Sequence, residues 1–344
     1  MKDTLQQEQG FTIESIPEPK DIGEVIYSLM VNPNLSSINY FNDFREVSPD
    51  SIGDGDNQEI GFFDIGVSGE SMAISTHAFH HHLQNDPKKA AEILISRATR
   101  KMLCMGATPV AMSAFLYHIN FADPNGNYIA SGAKNGLEHA AEKFNLRISD
   151  KKIRFDHFTG HGPVPPTLII SMLGNVKDKN KLTTHAFKEK GGNIFIMGHS
   201  VDDIGSSEYL EFYHGLADSP LPDFSIDDEL KIHQALKELH ELNLLRSASP
   251  VGKGGLFFTL LRAAIPNGLG FDITTDAEIR IDSFLFGEAM GRILLEVAPE
   301  KEDDFVDFMT DKNYPFFTLG HITKGEIRID DNSFGYIDKM TPTA

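Results

Sequence analysis

The sequence has a single cysteine, Cys104, among its 344 residues, so no disulfide can form within the chain. Such sparing use of cysteine fits a reducing compartment. No apolar run approaches the roughly 18 residues of a membrane span, and the polar start of the chain, MKDTLQQEQG, lacks the apolar core of a secretory signal. We therefore expect a cytoplasmic protein without a membrane partner.

Basic residues are also scarce, because 31 Lys and Arg stand against 50 Asp and Glu, and the net charge is −19. Nucleic-acid binding needs clustered basic side chains, so we expect no nucleic-acid partner. The charge does not exclude a small anion, since backbone N–H groups at a helix N-terminus can hold one locally. With 40% hydrophobic and 24% charged residues, the composition is typical of a globular protein.

The length predicts about two domains. Residues 1–23 carry few large apolar side chains and are predicted to form an arm, residues 24–178 a first domain, and residues 185–336 a second domain. Turn-bounded apolar runs and helical periodicity predict the following elements in the first domain: strands at 59–66, 71–79, 110–119 and 166–174, and helices at 88–105 and 131–145.

In the second domain, predicted strands alternate with predicted helices. The strands are expected at 193–198, 269–273, 292–297, 316–323 and 325–330, and the helices at 229–245, 255–264, 283–290 and 301–311. Residues 146–165, between the last two strands of the first domain, are rich in charges and turn residues and are predicted to be a loop with one short edge strand. This alternation predicts an α/β (α+β) fold with a mixed sheet in the second domain.

Four segments, taken in order, carry a resemblance to a known family. They are Asp86-Pro87 with the run RATRKMLCMGATP at 97–109, PPTLIISMLG at 165–174, SSEYL at 206–210, and LFGE at 285–288 with Arg292. Their order and spacing resemble the second half of phosphoribosylformylglycinamidine synthase, an ATP-dependent enzyme of purine biosynthesis with an aminoimidazole ribonucleotide synthetase-like fold. The resemblance extends over roughly residues 24–336.

The resemblance implies a two-domain fold in which the strands of the N-terminal domain pair with those of a partner domain and close a β-barrel. It also implies a C-terminal mixed-sheet α/β domain that covers a nucleotide cleft. Because the chain resembles one of two homologous halves, it implies a homodimer. The glutaminase domain of the full enzyme has no counterpart, since Cys104 lies in an apolar run and is unlike an exposed catalytic thiolate.

The chain departs from the family at the positions that bind Mg²⁺ and ATP. The resemblance places His77 and His81 where the family has Asp and Arg, and Pro250 and Lys253 where it has Asp. Because Mg²⁺ in such sites is held by carboxylates and phosphate oxygens, weak Mg²⁺–ATP binding and lost or altered catalysis are implied. With catalysis lost, the resemblance implies a scaffold protein or a protein that binds a nucleotide or another anion. An active ATP-dependent ligase or kinase for a phosphoribosyl-type substrate, completed by a partner chain, is the alternative.

The segment Gly252-Lys253-Gly254-Gly255 precedes a predicted helix, so its N–H groups and the lysine form a candidate site for a nucleotide or phosphate anion. It does not match the P-loop pattern, and a tight turn that allows close helix packing is the competing interpretation. Glu208 and Glu288 are candidates for the same cleft, or else structural charges near helix ends.

Four histidines, His77, His80, His81 and His82, form the densest titratable cluster in the sequence. Imidazoles at this density are able to bind Zn²⁺ or another transition metal, and His77 with His81 is the candidate pair. A metal-binding module is therefore a third hypothesis. The competing interpretation is an exposed loop without a specific metal.

Overall fold

Two mixed sheets with helices packed against them make up the fold of the computed structural model. The structure describes residues 12–35, 60–65, 71–79, 82–117, 124–154, 158–159, 162–163, 165–216 and 219–340. Within these residues, no helix combines the length and apolar character needed to cross a membrane.

The first sheet has five strands in the order β1-β2-β7-β3-β4. Their bounds are Ile60–Asp64 for β1, Ser71–Phe79 for β2, Thr108–Tyr117 for β3, Arg147–Arg154 for β4 and Thr167–Val176 for β7. All neighbours are antiparallel except β3 and β4, which are parallel. A short separate pair, β5 (Phe158–Thr159) and β6 (Gly162–Pro163), lies between β4 and β7 in the chain.

Helices α2 (Pro87–Cys104) and α3 (Pro124–Lys143) form a core with one face of this sheet, which buries alternate residues of β7 such as Leu168, Ile170 and Met172. The Asp86 side chain accepts a hydrogen bond from Lys89 N, and Pro87 fills the first turn, so the sequence itself fixes the start of α2. The helix predicted at 131–145 begins earlier, at Pro124. The prediction missed its first turns because they contain Asn and Gly, which are poor helix formers.

The second sheet has seven strands in the order β14-β13-β10-β12-β8-β11-β9. Their bounds are Asn193–Met197 for β8, Ser247–Pro250 for β9, Gly270–Ile273 for β10, Ile293–Val297 for β11, Phe316–Thr323 for β12, Glu326–Ile329 for β13 and Asn332–Tyr336 for β14. The associated helices are α1 (Ile22–Met30), α4 (Ile226–Glu241), α5 (Gly255–Ala264), α6 (Ile281–Phe286), α7 (Glu302–Asp311) and α8 (Ile337–Met340), with one π-helical turn at Tyr209–Tyr213. The mixed α/β architecture is thereby confirmed.

Two helices join the halves of the molecule. Helix α1 begins inside the range predicted as the arm and continues into the predicted first domain, yet Val25, Ile26 and Leu29 are buried in the core of the second. Helix α2 belongs to the first sheet, but its last residues, Leu103 and Cys104, share a core with α4 and β11. The two halves of the molecule are therefore joined by shared hydrophobic cores.

The five-stranded sheet is open, with β1 and β4 at its edges. No closed barrel forms among the described strands, and a barrel between two chains remains a prediction. The segment 146–165, predicted to be mostly loop, contains the full-length edge strand β4, whose residues are exposed except for the partly buried Ile148. Its charged residues hide the alternation that usually identifies a strand, and such charges are typical of an edge that must not pair with other chains.

Candidate functional site

The Gly-rich turn at 252–255 leads directly into α5, as predicted. Gly254 and Gly255 have φ angles of +78° and +71°, which only glycine adopts readily. A Cβ on Gly255 would lie 2.6 Å from the carbonyl oxygen of Leu285. The turn is thus pressed against α6, and the packing interpretation of these glycines accounts for their positions.

The carboxylate of Glu288 caps this turn from inside the protein. Its Oε1 atom accepts hydrogen bonds from Gly254 N and from Glu208 N, both at 2.9 Å. The helix predicted at 283–290 ends at Phe286 because Gly287 is extended, so Glu288 lies beyond it. Burial raises the pKa of Glu288, while the two N–H donors and Arg97 act in the opposite direction. The backbone N–H of Gly254, at the N-terminus of α5, is therefore already bonded to a carboxyl group of the chain.

Glu208 lies beside the same turn and is paired with Lys253. The Lys253 Nζ atom is 3.0 Å from Glu208 Oε1, and the Asn32 and Asn34 side-chain amides donate to Oε2 at 2.9 and 3.1 Å. Burial alone would raise the pKa of Glu208, but these donors outweigh it and the pKa is lowered. Both carboxylate oxygens are thus engaged.

The predicted site residues Glu208, Lys253, Gly254 and Glu288 therefore meet in one place, and Gly252 completes the turn by accepting a hydrogen bond from Gly255 N. The two asparagines are partners that the sequence analysis missed. Asn32 lies 176 residues from Glu208 in the chain, and no local pattern links them.

Among the described residues, the histidines do not form a metal site. His77 lies on the helix-covered face of β2, with Nε2 3.0 Å from Ser75 Oγ, and burial lowers its pKa to about 4. The predicted partner His81, like His80, lies outside the described residues. His82 contacts Ser206 instead, with Nε2 2.7 Å from Oγ. In the part of the chain that the structure describes, no three His, Cys, Asp or Glu side chains are grouped to hold a metal ion.

Basic side chains of α2 lie within electrostatic range of Glu288 and Arg262, and the sequence analysis did not single them out. Arg100 is only 1% exposed, with Nε 3.1 Å from Glu229 Oε2 and Nη2 3.4 Å from Met290 Sδ. The Arg97 guanidinium lies 5.7 Å from the ring centre of Phe79. We call Arg97, Arg100, Lys101, Lys253 and Arg262 the cation cluster.

Burial outweighs charge compensation at three members of the cation cluster. The pKa of Lys101 is lowered to about 7 by burial and by the charge of Arg262. Burial also lowers the pKa of Arg262 to about 10 and lowers that of Arg97, although the Glu288 carboxylate opposes both shifts. Burial is therefore the largest influence on the pKa of these three side chains.

Comparison with known proteins identifies the family. Residues 59–176 match the family described as AIR synthase related protein, N-terminal domain, and residues 190–331 match AIR synthase related protein, C-terminal domain. Together these matches span most of the chain in the expected order. The chain belongs to the AIR synthase related family, in agreement with the resemblance inferred from the motifs.

Curated relatives include the phosphoribosylformylglycinamidine synthase subunit PurL of Alkaliphilus metalliredigens, 26% identical over 329 residues, which are 95% of this chain and 45% of that protein. The PurL subunit of Moorella thermoacetica is 28% identical over 315 residues, which are 90% of this chain and 42% of that protein. The chain thus spans less than half the length of these relatives.

Among solved structures, Thermotoga maritima PurL complexed with FGAR matches with a TM-score of 0.73 and 14% identity, over 94% of this chain and 54% of that one. A chain of the HypE–HypF complex matches with a TM-score of 0.58 and 14% identity, over 78% of this chain and 90% of that one. At such identities the similarity is one of fold alone.

Proposed function

We propose that the chain is a phosphoribosylformylglycinamidine synthase-like protein related to purine biosynthesis whose Mg²⁺–ATP site no longer supports the original catalysis. The observation that carries the proposal is the engagement of Glu208 by Lys253, Asn32 and Asn34. A lysine stands where the resemblance implies an aspartate, and it neutralises the nearest remaining carboxylate.

The donor set around the turn does not fit Mg²⁺. Protein-bound Mg²⁺ needs one or two free carboxylates together with phosphate oxygens and water. Both oxygens of Glu208 accept hydrogen bonds, and Glu288 is buried and capped by backbone N–H groups. An ammonium group 3.0 Å from Glu208 also repels a cation. The protein would then act as a scaffold or as a metal-free binder of a nucleotide or phosphate anion.

Two measurements test this proposal. Calorimetry measures the binding of Mg²⁺–ATP, and an assay measures the release of ADP from Mg²⁺–ATP in the presence of formylglycinamide ribonucleotide and ammonia. We expect weak binding and ATP turnover near background. His77→Asp should remain inactive, because Pro250 and Lys253 still replace carboxylates. A low-micromolar, Mg²⁺-dependent ATP affinity, or ammonia-dependent ADP release, would contradict the proposal.

The alternative is an active ATP-dependent ligase or kinase whose metal ligands come from a partner chain. One observation favours it: Thermotoga maritima PurL, which shares this fold with a TM-score of 0.63, has a structure in complex with ATP. The ADP-release assay separates the two functions directly.

We also propose a homodimer in which the uncovered face of the five-stranded sheet meets the same face of a second copy and closes a β-barrel. Phe63 and Ile74 on that face are 46% and 39% exposed, and Ile74 is paired with Leu173 of β7.

A further inference from the structure

We propose that the interface between α2 and α4 is an acid-sensitive joint, which holds the two halves of the molecule together while its histidines are neutral and loosens when they are protonated. Helix α2 packs on the first sheet and α4 packs on the second, so their contact spans the two halves. The acid sensitivity of this joint does not depend on whether the Gly-rich turn binds ATP.

Three titratable side chains of α4 face α2. Glu229, His233 and His240 are spaced by four and seven residues, so they lie on one face of the helix. Glu229 and His233 are 2% and 4% exposed, and His240 is partly buried. The His233 imidazole is hydrogen-bonded to the backbone of Ser96, and the His240 imidazole is hydrogen-bonded to the backbone of Leu103. Both histidines therefore connect α4 to the backbone of α2.

The interface suits neutral imidazoles better than protonated ones. The Nε2 atoms of His233 and His240 are buried without a hydrogen-bond partner among the described residues. A protonated imidazole donates from both nitrogens, and a buried donor without an acceptor is costly. The Glu229 Oε2 atom lies 3.6 Å from His233 Nε2 but 3.1 Å from Arg100 Nε. Protonated His233 would therefore share a carboxylate that Arg100 already uses. The Phe144 ring, whose centre is 4.7 Å from that of His233, adds no acceptor.

The titration of the histidines gives the joint its pH dependence. Burial, with the charges of Arg100 and Lys237, lowers the pKa of His233 to about 3. Burial also lowers the pKa of His240, although its hydrogen bonds to the α2 backbone oppose the shift. An exposed histidine titrates near 6.5, so the separated form binds more protons below that pH and the joint weakens as the pH falls. At pH 5.0 each histidine favours separation by up to about thirtyfold.

Glu229 acts in the opposite direction. Burial and the charge of Asp228 raise its pKa, against the charges of Arg100 and Arg97. An exposed glutamate titrates near 4.3, so the closed joint binds the extra proton at this carboxyl as the pH falls, and the joint is strengthened. Because two histidines oppose one glutamate, we expect a net loosening in acid.

Distances between two spin labels, measured by double electron–electron resonance, test the joint. The single native cysteine, Cys104, is buried, so labels attach at cysteines introduced at exposed positions. Ser131→Cys lies on α3 in the first half, and Thr310→Cys lies on α7 in the second half. We expect one narrow distance distribution at pH 7.5 and a longer or broader one at pH 5.0. The narrow distribution should return when the pH is restored to 7.5.

His233→Asn and His240→Asn keep an N–H donor for the α2 backbone but cannot be protonated. Each variant should reduce the response to acid, and the double variant should abolish it. His321→Asn, at an exposed histidine of β12, is the matched control and should respond like the labelled parent protein. The distance at pH 7.5 shows whether each variant is folded, and either single variant serves alone if the other does not fold.

Three results would overturn the proposal. The first is an unchanged distance distribution in the labelled parent protein between pH 7.5 and pH 5.0. The second is an equal response to acid in the parent protein and in the folded histidine variants. The third is a loss of secondary structure, measured by circular dichroism, together with the change in distance, because this would show general unfolding in acid.

Discussion

Glu288 shows how one buried carboxylate organises the cleft at the scale of single residues. Glu288 lies just beyond the end of α6. Its Oε1 atom accepts hydrogen bonds from the backbone N–H groups of Glu208 and Gly254 and so joins Glu208 to the Gly-rich turn. A buried charge is tolerated only when it is paired and hydrogen-bonded, and the nearby Arg97 adds a favourable field. Without this carboxylate, two buried N–H donors would have no acceptor.

Glu288→Gln should therefore destabilise the protein by about 1–3 kcal/mol, because the amide is a weaker acceptor and removes the charge that faces Arg97 and Arg262. Urea unfolding measures the change. Glu278→Gln, at an exposed position, is the matched control and should stay within about 0.5 kcal/mol of wild type. Equal effects of the two substitutions would show that Glu288 is not a structural anchor.

Lys101 makes stability depend on pH. Burial and the charge of Arg262 lower its pKa to about 7 in the fold, while Cys104 acts in the opposite direction, and an unfolded lysine titrates near 10.4. The unfolded state binds more protons at this lysine between these values, so Lys101 contributes a rise in stability with pH from about 7 to about 10. Burial raises the pKa of Cys104 to about 12 in the fold, whereas the unfolded thiol ionises near 8.5, so Cys104 opposes this rise above about pH 8.5.

The expected slope from Lys101 is at most about 1.4 kcal/mol per pH unit. Lys101→Met should flatten the stability profile between pH 7 and pH 10, as measured by urea unfolding in a series of buffers. Lys312→Met, at an exposed lysine, should leave the slope unchanged. Identical slopes in the wild type and Lys101→Met would contradict a lowered pKa at Lys101.

The sequence predicted the site residues that lie in the ordered motifs of the family. Glu208, Lys253, Gly254 and Glu288 were expected near one another, and hydrogen bonds join them at the Gly-rich turn. Asn32 was missed because its contact depends on how α1 packs against the second domain, which no local pattern encodes.

At the scale of elements, four helices end in the same way. After α2, α3, α4 and α7, a residue with positive φ is followed by an apolar residue whose N–H bonds to the carbonyl five residues earlier. The residues with positive φ are Gly106, Asn145, Asn243 and Asn313. This is the Schellman arrangement, in which glycine is favoured and asparagine is tolerated.

Asn243 allows a test of this ending. Asn243→Gly should raise stability by about 0.5–1 kcal/mol, because glycine adopts a positive φ without steric cost. Asn243→Ala should lower stability by a similar amount, since an ordinary side chain pays about 1–2 kcal/mol in this region. Thermal unfolding gives the order, and an alanine variant more stable than the glycine variant would rule out the left-handed cap.

Element boundaries were predicted closely where capping residues or turn-bounded apolar runs mark them, as at the strands Ser71–Phe79 and Phe316–Thr323. Helix α2 begins after Asp86-Pro87 and stops before Gly106, within a residue or two of the prediction. Strand β4 was largely missed because an edge strand with charges on both faces lacks the alternation that identifies most strands.

At the scale of the whole molecule, the five-stranded sheet is unequal on its two faces and at its two edges. One face is covered by α2 and α3, while the other carries Phe63, Ile74 and Leu173. The charged edge β4 discourages pairing with other chains. Because contiguous exposed apolar side chains mark interaction surfaces, the uncovered face is where we expect the second copy to bind.

Ile74→Lys and Leu173→Lys should convert a dimer into a monomer, because each places a charge in the centre of an apolar interface. A stable interface buries about 800 Å² on each partner. Light scattering at micromolar concentration and moderate salt measures the mass of each protein. Leu242→Lys is the matched control, since Leu242 is 54% exposed just after α4 and away from this sheet face, and it should remain dimeric. A monomeric wild type, or dissociation of the control together with the two face variants, would refute the dimer through this face.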